Sequence, residues 1–300
     1  MSTKRLRATC RRSCALGMQN LKTKIILRIS GLPKLHYIRK LFWKKISKKL
    51  HLVTCPTKEL LEKINELKIF ESSKTFFLPD AIISVKDFKI KKNFTFDNSI
   101  KIKIENKKIM LAAGRLTRQK NFSYLVNEFC NFIKTNNDYI LIILGEGEEK
   151  NKLENMIHQK KLSEKIFLVG YVNNVYSYMK NSDVFVLSSL WEEVGFVIVE
   201  AAMNNLFVIS SDCPNGPKEF LENGKNGLLY ENNCPNKLTE SFQIFLNTKN
   251  LGESPSIQAG VNPKFIVRVP VLTCAIVSFS KITRKFVICS VGRDIYTYPL

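Results

Sequence analysis

From residue 108 onward, short apolar runs alternate with stretches whose apolar positions recur every three or four residues. The runs at 108–113, 139–144, 166–169, 184–187, 207–210 and 227–230 predict strands. The intervening periodic stretches at 122–134, 148–160, 175–180, 196–203, 217–221 and 237–246 predict helices. Strands buried on both faces read as unbroken apolar runs, as Ile140 to Leu144 does. Six strands alternating with helices imply a doubly wound parallel α/β sheet of Rossmann-like type. Such sheets take ligands beyond the carboxyl ends of their strands. The loops after Ala113, Leu144, Val169, Leu187 and Ser210 are therefore where chemistry is expected.

The same rhythm is shorter upstream. Strands are predicted at 24–29, 52–54 and 76–78, with a helix from Thr57 to Leu67 that opens just after Pro56. A further helix is predicted at 35–50, with Leu35, Ile38, Phe42, Ile46 and Leu50 on one face and Lys40, Lys44, Lys45, Lys48 and Lys49 on the other. A basic amphipathic helix of this kind can lie on an anionic membrane, and an ordinary helix packed on a sheet shows the same pattern. Residues 85–107 are polar, Lys-rich and weakly patterned, which reads as a linker with one hairpin-like excursion. The expected organisation is a basic irregular segment at 1–23, a partial second α/β domain at 24–84, the linker, a Rossmann-like domain at 108–250, and an atypical β-prone tail at 251–300. In the tail, 265–269 and 285–291 are the β-prone stretches.

Charge adds one constraint. The formal net charge is +21, and no acidic residue precedes Glu59. Residues 1–58 would thus seek an anionic surface such as phospholipid or lipid-linked phosphate. Codons that favour Lys, Asn, Ile and Phe account for the same excess equally well. Nucleic acid is not expected as a partner, because the aromatics are not interleaved with the lysines as stacking platforms. Arginine divides the chain differently: residues 17–250 hold only Arg28, Arg39, Arg115 and Arg118, while the short flanks hold seven. No apolar run reaches the roughly 18 residues needed to span a bilayer, and no clear signal-peptide pattern appears. The eight cysteines form no Cys-x2-Cys pair or zinc-ligand spacing, which suits a reducing cytoplasm; Cys130 and Cys213 read as small apolar fillers.

Two loops carry the chemistry. Gly114-Arg115-Leu116 follows the first strand of the regular block, and Lys120-Asn121 opens the next helix. Two cations beside a helix start can hold a diphosphate without a metal, although a surface Arg and Lys would spell the same letters. After the fourth strand comes Glu192-Glu193-Val194-Gly195-Phe196-Val197, with Glu200 about one turn inside the helix. Glycine lets backbone amides approach phosphate oxygens, and ionised carboxylates accept hydrogen bonds from ribose or sugar hydroxyls. Simple helix capping by Glu192 or Glu193 is the rival reading. Gly145 and Gly147 look like part of a dinucleotide fingerprint, a weak signal by itself. No Asp-x-Asp triplet occurs, so a metal-bridged diphosphate finds no support.

The two loops together resemble the C-terminal, donor-binding domain of family 4 glycosyltransferases with the GT-B fold. Leu144-Gly-Glu-Gly-Glu148, Gly170-Tyr171-Val172, the segment from Ser210 to Lys218 and the segment from Glu222 to Leu229 match as well, in order, over roughly residues 109–246. The Asp212-Cys-Pro-Asn-Gly-Pro form resembles branches that build lipopolysaccharide and other surface glycans. The resemblance implies catalytic roles for Arg115, Lys120 and Glu192, with the two cations gripping the donor diphosphate and Glu192 contacting the transferred sugar. It implies donor binding by Gly114, Tyr171, Val172, Val194, Gly195, Phe196, Val197 and Glu200, with Glu200 on the ribose and Tyr171 and Val172 at the base. It implies a turn at Gly145 and Gly147, and no metal. Residues 24–78 resemble, more loosely, the last part of the family's N-terminal domain, with Arg28-Ile29-Ser30-Gly31 at a cleft loop and a structural role favoured for it.

The departures are at the ends. Only the final portion of the N-terminal domain is recognisable, and the usual returning helix after residue 250 is replaced by β-prone sequence. The expected function is a retaining glycosyltransferase that moves a sugar from a UDP- or GDP-linked donor to a lipid-linked or lipopolysaccharide glycan, in the cytoplasm or at the inner face of the cytoplasmic membrane. The alternative is a truncated fragment that binds nucleotide-sugar without transferring it.

Overall fold

The computed structural model describes residues 24–33, 36–79, 88, 90, 107–250 and 286–291. The chain divides into two compact units, Met1–Asp80 with Leu272–Leu300, and Ala81–Val271. In the first, β1 (Lys24–Ile29), α1 (Tyr37–Ser47), β2 (Leu52–Cys55), α2 (Lys58–Glu66) and β3 (Thr75–Phe77) follow in order. β1 pairs with β2 and β2 with β3, all parallel. Ile25, Leu27, Ile29, Val53 and Cys55 from the strands pack with Trp43, Leu60 and Ile64 from the helices. α2 starts where Thr57 accepts a hydrogen bond on its hydroxyl from the Leu60 amide at 3.2 Å, which satisfies one orphan donor of the first turn.

The packed face of α1 differs from the one the sequence predicts. Trp43 and Leu50 are buried with Ile46 against them, whereas Ile38 is 81% exposed. Residues 43, 46 and 50 form an i, i+3, i+7 stripe, and Ile38 lies about 140° around the helix from Trp43. The bulkiest apolar ring takes the core position, and the stripe turns with it. Leu35 lies outside the described residues, as do 1–23, 265–269 and nearly all of the linker.

The second unit contains β4 (Lys108–Ala113), α3 (Phe122–Phe132), β5 (Tyr139–Leu144), α4 (Lys150–Gln159), β6 (Ile166–Gly170), α5 (Val175–Lys180), β7 (Val184–Leu187), α6 (Phe196–Met203), β8 (Phe207–Ser211), α7 (Pro217–Phe220), β9 (Leu228–Tyr230) and α8 (Lys237–Asn250). Its six strands are all parallel, in the order β6-β5-β4-β7-β8-β9. Alternation along the strands divides the core into two layers. Met110, Ala112, Leu141, Ile143, Val184 and Val186 face helices α3, α4 and α8, which contribute Leu125, Phe129, Leu153 and Phe242 to that layer. Ile109, Leu111, Ile140, Ile142, Phe185 and Val208 face the other way, toward Tyr176 and Met179 of α5 and Ile198 and Ala201 of α6. α8 is held at its start by a remote side chain. The buried carboxylate of Glu128 on α3 accepts the amides of Asn236 and Thr239, each at 3.1 Å, and the Thr239 hydroxyl at 2.8 Å.

The β-prone stretch near the end of the chain forms β10 (Phe286–Val291), which pairs in parallel with β1. The first unit's sheet therefore has the order β10-β1-β2-β3. Among the described residues no helix is long and apolar enough to cross a membrane.

Candidate functional site

β4 is the earliest strand of its sheet, and the chain moves outward from it through β5 to β6 before crossing back to β7. α3, which follows β4, and α6, which follows β7, pack on opposite layers. The loops after β4 and β7 thus part at the switch point, and parting loops leave a crevice at the strand ends.

The β4 loop is fixed from one side by the β5 loop. A Cβ at Gly145 would stand 1.9 Å from the Gly114 carbonyl oxygen, so only glycine allows this backbone contact. The Gly114 amide donates to the Leu144 carbonyl at 2.9 Å, and the Leu116 amide to the Glu146 carbonyl at 2.9 Å. These contacts give Gly145 and Gly147 the role of a turn packed on its neighbour. Arg118–Lys120 then form a single 3-10 turn, which delivers Lys120 back over Gly114. A Cβ at Gly114 would lie 2.9 Å from Lys120 Cε.

Lys120 Nζ meets Glu192 Oε1 at 2.5 Å, and both side chains are nearly buried, at 14% and 6% exposure. The Ser189 hydroxyl donates to the same carboxylate oxygen. Ser189 is in turn fixed through its carbonyl, which accepts from the Ser211 hydroxyl at 2.7 Å. The Ser188 hydroxyl donates to the Lys120 carbonyl at 2.8 Å, so the two loops are joined along their backbones as well. Lys120 and Glu192 cancel each other's charge. Arg115, in the β4 loop, is exposed and forms no ion pair among the described residues.

Gly195 precedes α6 with φ +75°, a left-handed conformation that favours glycine, and no side chain caps the helix start. A Cβ there would lie 3.8 Å from Glu192 Cγ, so the uncapped amides open beside the ion pair. Val194 and Val197 are half-buried, and Phe196 is exposed. Glu200, one turn further on, accepts a hydrogen bond from the Tyr176 hydroxyl at 3.3 Å. Val172 and Val197 pack against the same core layer, while Tyr171 projects from the end of β6 at 75% exposure.

Of the residues singled out in the sequence, Gly114, Lys120, Glu192 and Gly195 come together, with Val194, Phe196 and Val197 beside them. Glu200 is grouped with Tyr176, and Arg115 and Tyr171 project to solvent. Sequence reasoning misses Ser189, Gln119, Trp191 and Tyr176. The serine pair Ser188-Ser189 at the end of an apolar strand is the one legible signal, because hydroxyls in a core need partners. Cys213 is buried near Lys120 and Glu192, and its burial pushes the thiol up to about 12, so it is a neutral filler there. In the first unit, Arg28 donates to the Leu78 carbonyl at 3.5 Å. Among the described residues no three His, Cys, Asp or Glu side chains converge as a metal site.

Comparison with known proteins agrees with this architecture. The family model described as "Glycosyl transferases group 1" matches residues 93–259. N-acetylgalactosamine-N,N'-diacetylbacillosaminyl-diphospho-undecaprenol 4-alpha-N-acetylgalactosaminyltransferase of Campylobacter jejuni is 30% identical over 164 residues, covering 55% of this chain and 44% of its own length. UDP-Gal:alpha-D-GlcNAc-diphosphoundecaprenol alpha-1,3-galactosyltransferase of Escherichia coli is 36% identical over 132 residues, covering 43% of this chain and 34% of its own length. The chain spans less than half the length of either enzyme. Among solved structures, Anabaena HepE in complex with UDP superposes with a TM-score of 0.69 at 14% identity, over 86% of this chain and 72% of that one. The matched model covers more than half of the sequence, and the chain belongs to the glycosyl transferases group 1 family.

Proposed function

We propose that this chain binds a nucleotide-sugar at the β4–β7 switch point and serves a retaining glycosyltransferase of envelope glycan synthesis. The observation that carries the proposal is the junction of Lys120, Glu192 and the uncapped start of α6. Arg115, Lys120 and the amides of residues 194–197 hold the donor diphosphate and stabilise the departing nucleotide as charge develops on it, without a metal. Glu192 orients a hydroxyl of the transferred sugar, and Glu200 accepts from the ribose. The acceptor oxygen bonds to the anomeric carbon on the face that the nucleotide leaves, the bond from that carbon to the diphosphate oxygen breaks, and the departing diphosphate takes the hydroxyl proton, so that retention follows. UDP in the Anabaena structure and UDP-Gal in the Escherichia coli enzyme's name support a uridine donor. The diphosphoundecaprenol in both relatives' names supports a lipid-linked acceptor.

The place of action is the cytoplasmic membrane face. Lys44, Lys45, Lys48 and Lys49 of the first unit are exposed, as are Tyr37, Ile38 and Leu41 on α1. Each well-placed lysine contributes roughly 1 kcal/mol of attraction to anionic lipid. A second reading is donor binding without transfer. A thermal-shift panel of UDP, GDP and their sugars tests the site. A donor at about 100 times its Kd adds roughly 2.7 kcal/mol of stability. Arg115→Ala and Glu200→Ala should each abolish the shift; a shift intact in both rejects the site. Turnover with an undecaprenyl-diphosphate-linked sugar then separates the two readings.

A further inference from the structure

Between residues 107 and 250, four large apolar side chains are exposed among those described: Tyr171, Trp191, Phe196 and Ile244. Three are aromatic, and all three stand at the carboxyl end of the sheet, where ligands bind. Trp191 is the least expected of them. Trp191 is 45% exposed, yet the backbone around it is held by hydrogen bonds. The Leu190 amide donates to the Gln119 carbonyl at 2.8 Å, and Gln119 Nε2 donates to the Trp191 carbonyl at 2.8 Å. Asn232 Nδ2 donates to the Leu190 carbonyl at 2.9 Å, and the Glu192 amide to the Pro214 carbonyl at 3.1 Å. A large rigid ring on an immobilised backbone loses little entropy when a ligand settles on it.

The next residue, Glu192, holds its carboxylate in the pair with Lys120. An apolar face beside a hydrogen-bond acceptor suits a hexopyranose, which has a C–H face and a hydroxyl rim. The strand order also separates the parts of a nucleotide-sugar. The β6 end, with Tyr171, lies on one side of β4, and the β7 end, with Trp191, lies on the other. With the diphosphate at the β4 loop and the base on the β6 side, the sugar falls on the β7 side.

We propose that the Trp191 indole is the stacking platform for the hexopyranose ring of the bound nucleotide-sugar, with Glu192 beside it accepting a sugar hydroxyl. The inference rests on the donor-site reading above. It is tested by calorimetric titration of the full chain with UDP and with UDP-glucose, UDP-galactose, UDP-N-acetylglucosamine and UDP-N-acetylgalactosamine. Trp191→Ala should leave UDP affinity unchanged and weaken the preferred nucleotide-sugar about tenfold, and Trp191→Phe should restore most of it. The chain has two tryptophans, Trp43 and Trp191, so Trp43→Phe makes Trp191 the sole tryptophan, read with excitation selective for indole. Its emission should change with the nucleotide-sugar and not with UDP alone. Equal weakening of UDP and nucleotide-sugar, or no weakening of either, overturns the platform and leaves the donor site standing. If the unsubstituted chain binds none of the five ligands, the donor site fails and the platform with it.

Discussion

Replacing Lys120 by methionine would leave the Glu192 carboxylate 5% exposed, with the Ser189 hydroxyl as its remaining side-chain partner. Removing one member of a buried pair costs about 3–5 kcal/mol, and the 14% exposure of Lys120 puts this case near the lower end. About 3 kcal/mol corresponds to a fall in Tm of roughly 6–12 °C for a unit of this size. Glu192→Gln should cost a similar amount, because it leaves the ammonium unpaired. The double variant removes both charges and should cost at least about 2 kcal/mol less than the two singles summed. Urea unfolding followed by Trp191 fluorescence in a Trp43→Phe background reads the second unit alone. Costs that add within about 0.5 kcal/mol would show that the two groups do not interact. Loss of the single-variant effects in 1 M salt would place the pair on an ordinary solvated surface.

Four further outcomes follow from the same unit. Glu128→Ala should destabilise it by about 2–3 kcal/mol, with Glu128→Gln in between, since three hydrogen bonds at the start of α8 depend on that carboxylate; urea midpoints measure this. The Cys213 thiol is raised from 9.0 to about 12, chiefly by burial, so it should resist iodoacetamide at pH 8 until the protein is unfolded. A raised folded value means that its stabilising effect is complete below about pH 9 and is lost as pH rises toward 12, so Cys213→Ala should flatten the alkaline fall in urea midpoint. Gly145→Ala forces a Cβ to 1.9 Å from the Gly114 carbonyl, so the β4 loop must move; we expect a lower Tm and loss of the nucleotide-induced thermal shift together.

Local periodicity makes most of the second unit legible. The six residues of β5 are all buried, and an unbroken apolar run announces that state directly. The end of the sheet that holds the site is legible too, because a doubly wound sheet takes ligands beyond the carboxyl ends of its strands; the strand order that makes the switch point is not. Contacts set by three-dimensional neighbours are not. Nothing near Lys120 marks Glu192, 72 residues on, as its partner, and nothing near Glu128 marks the start of α8. Periodicity misplaces the α1 stripe because Phe42 and Trp43 are adjacent, and it cannot choose which of two neighbouring rings a core will accept. Trp191 gives no signal in sequence; its interest lies in being exposed over a fixed backbone.

The parallel pairing of β1 with β10 joins segments about 260 residues apart in sequence. Residues 24–77 leave the ribosome well before residues 286–291 are made, so until then that edge of β1 lacks its β10 partner. Open parallel edges invite pairing with other chains. Removing residues 286–291 would make that interim state permanent, and self-association of the shortened protein would be its mark.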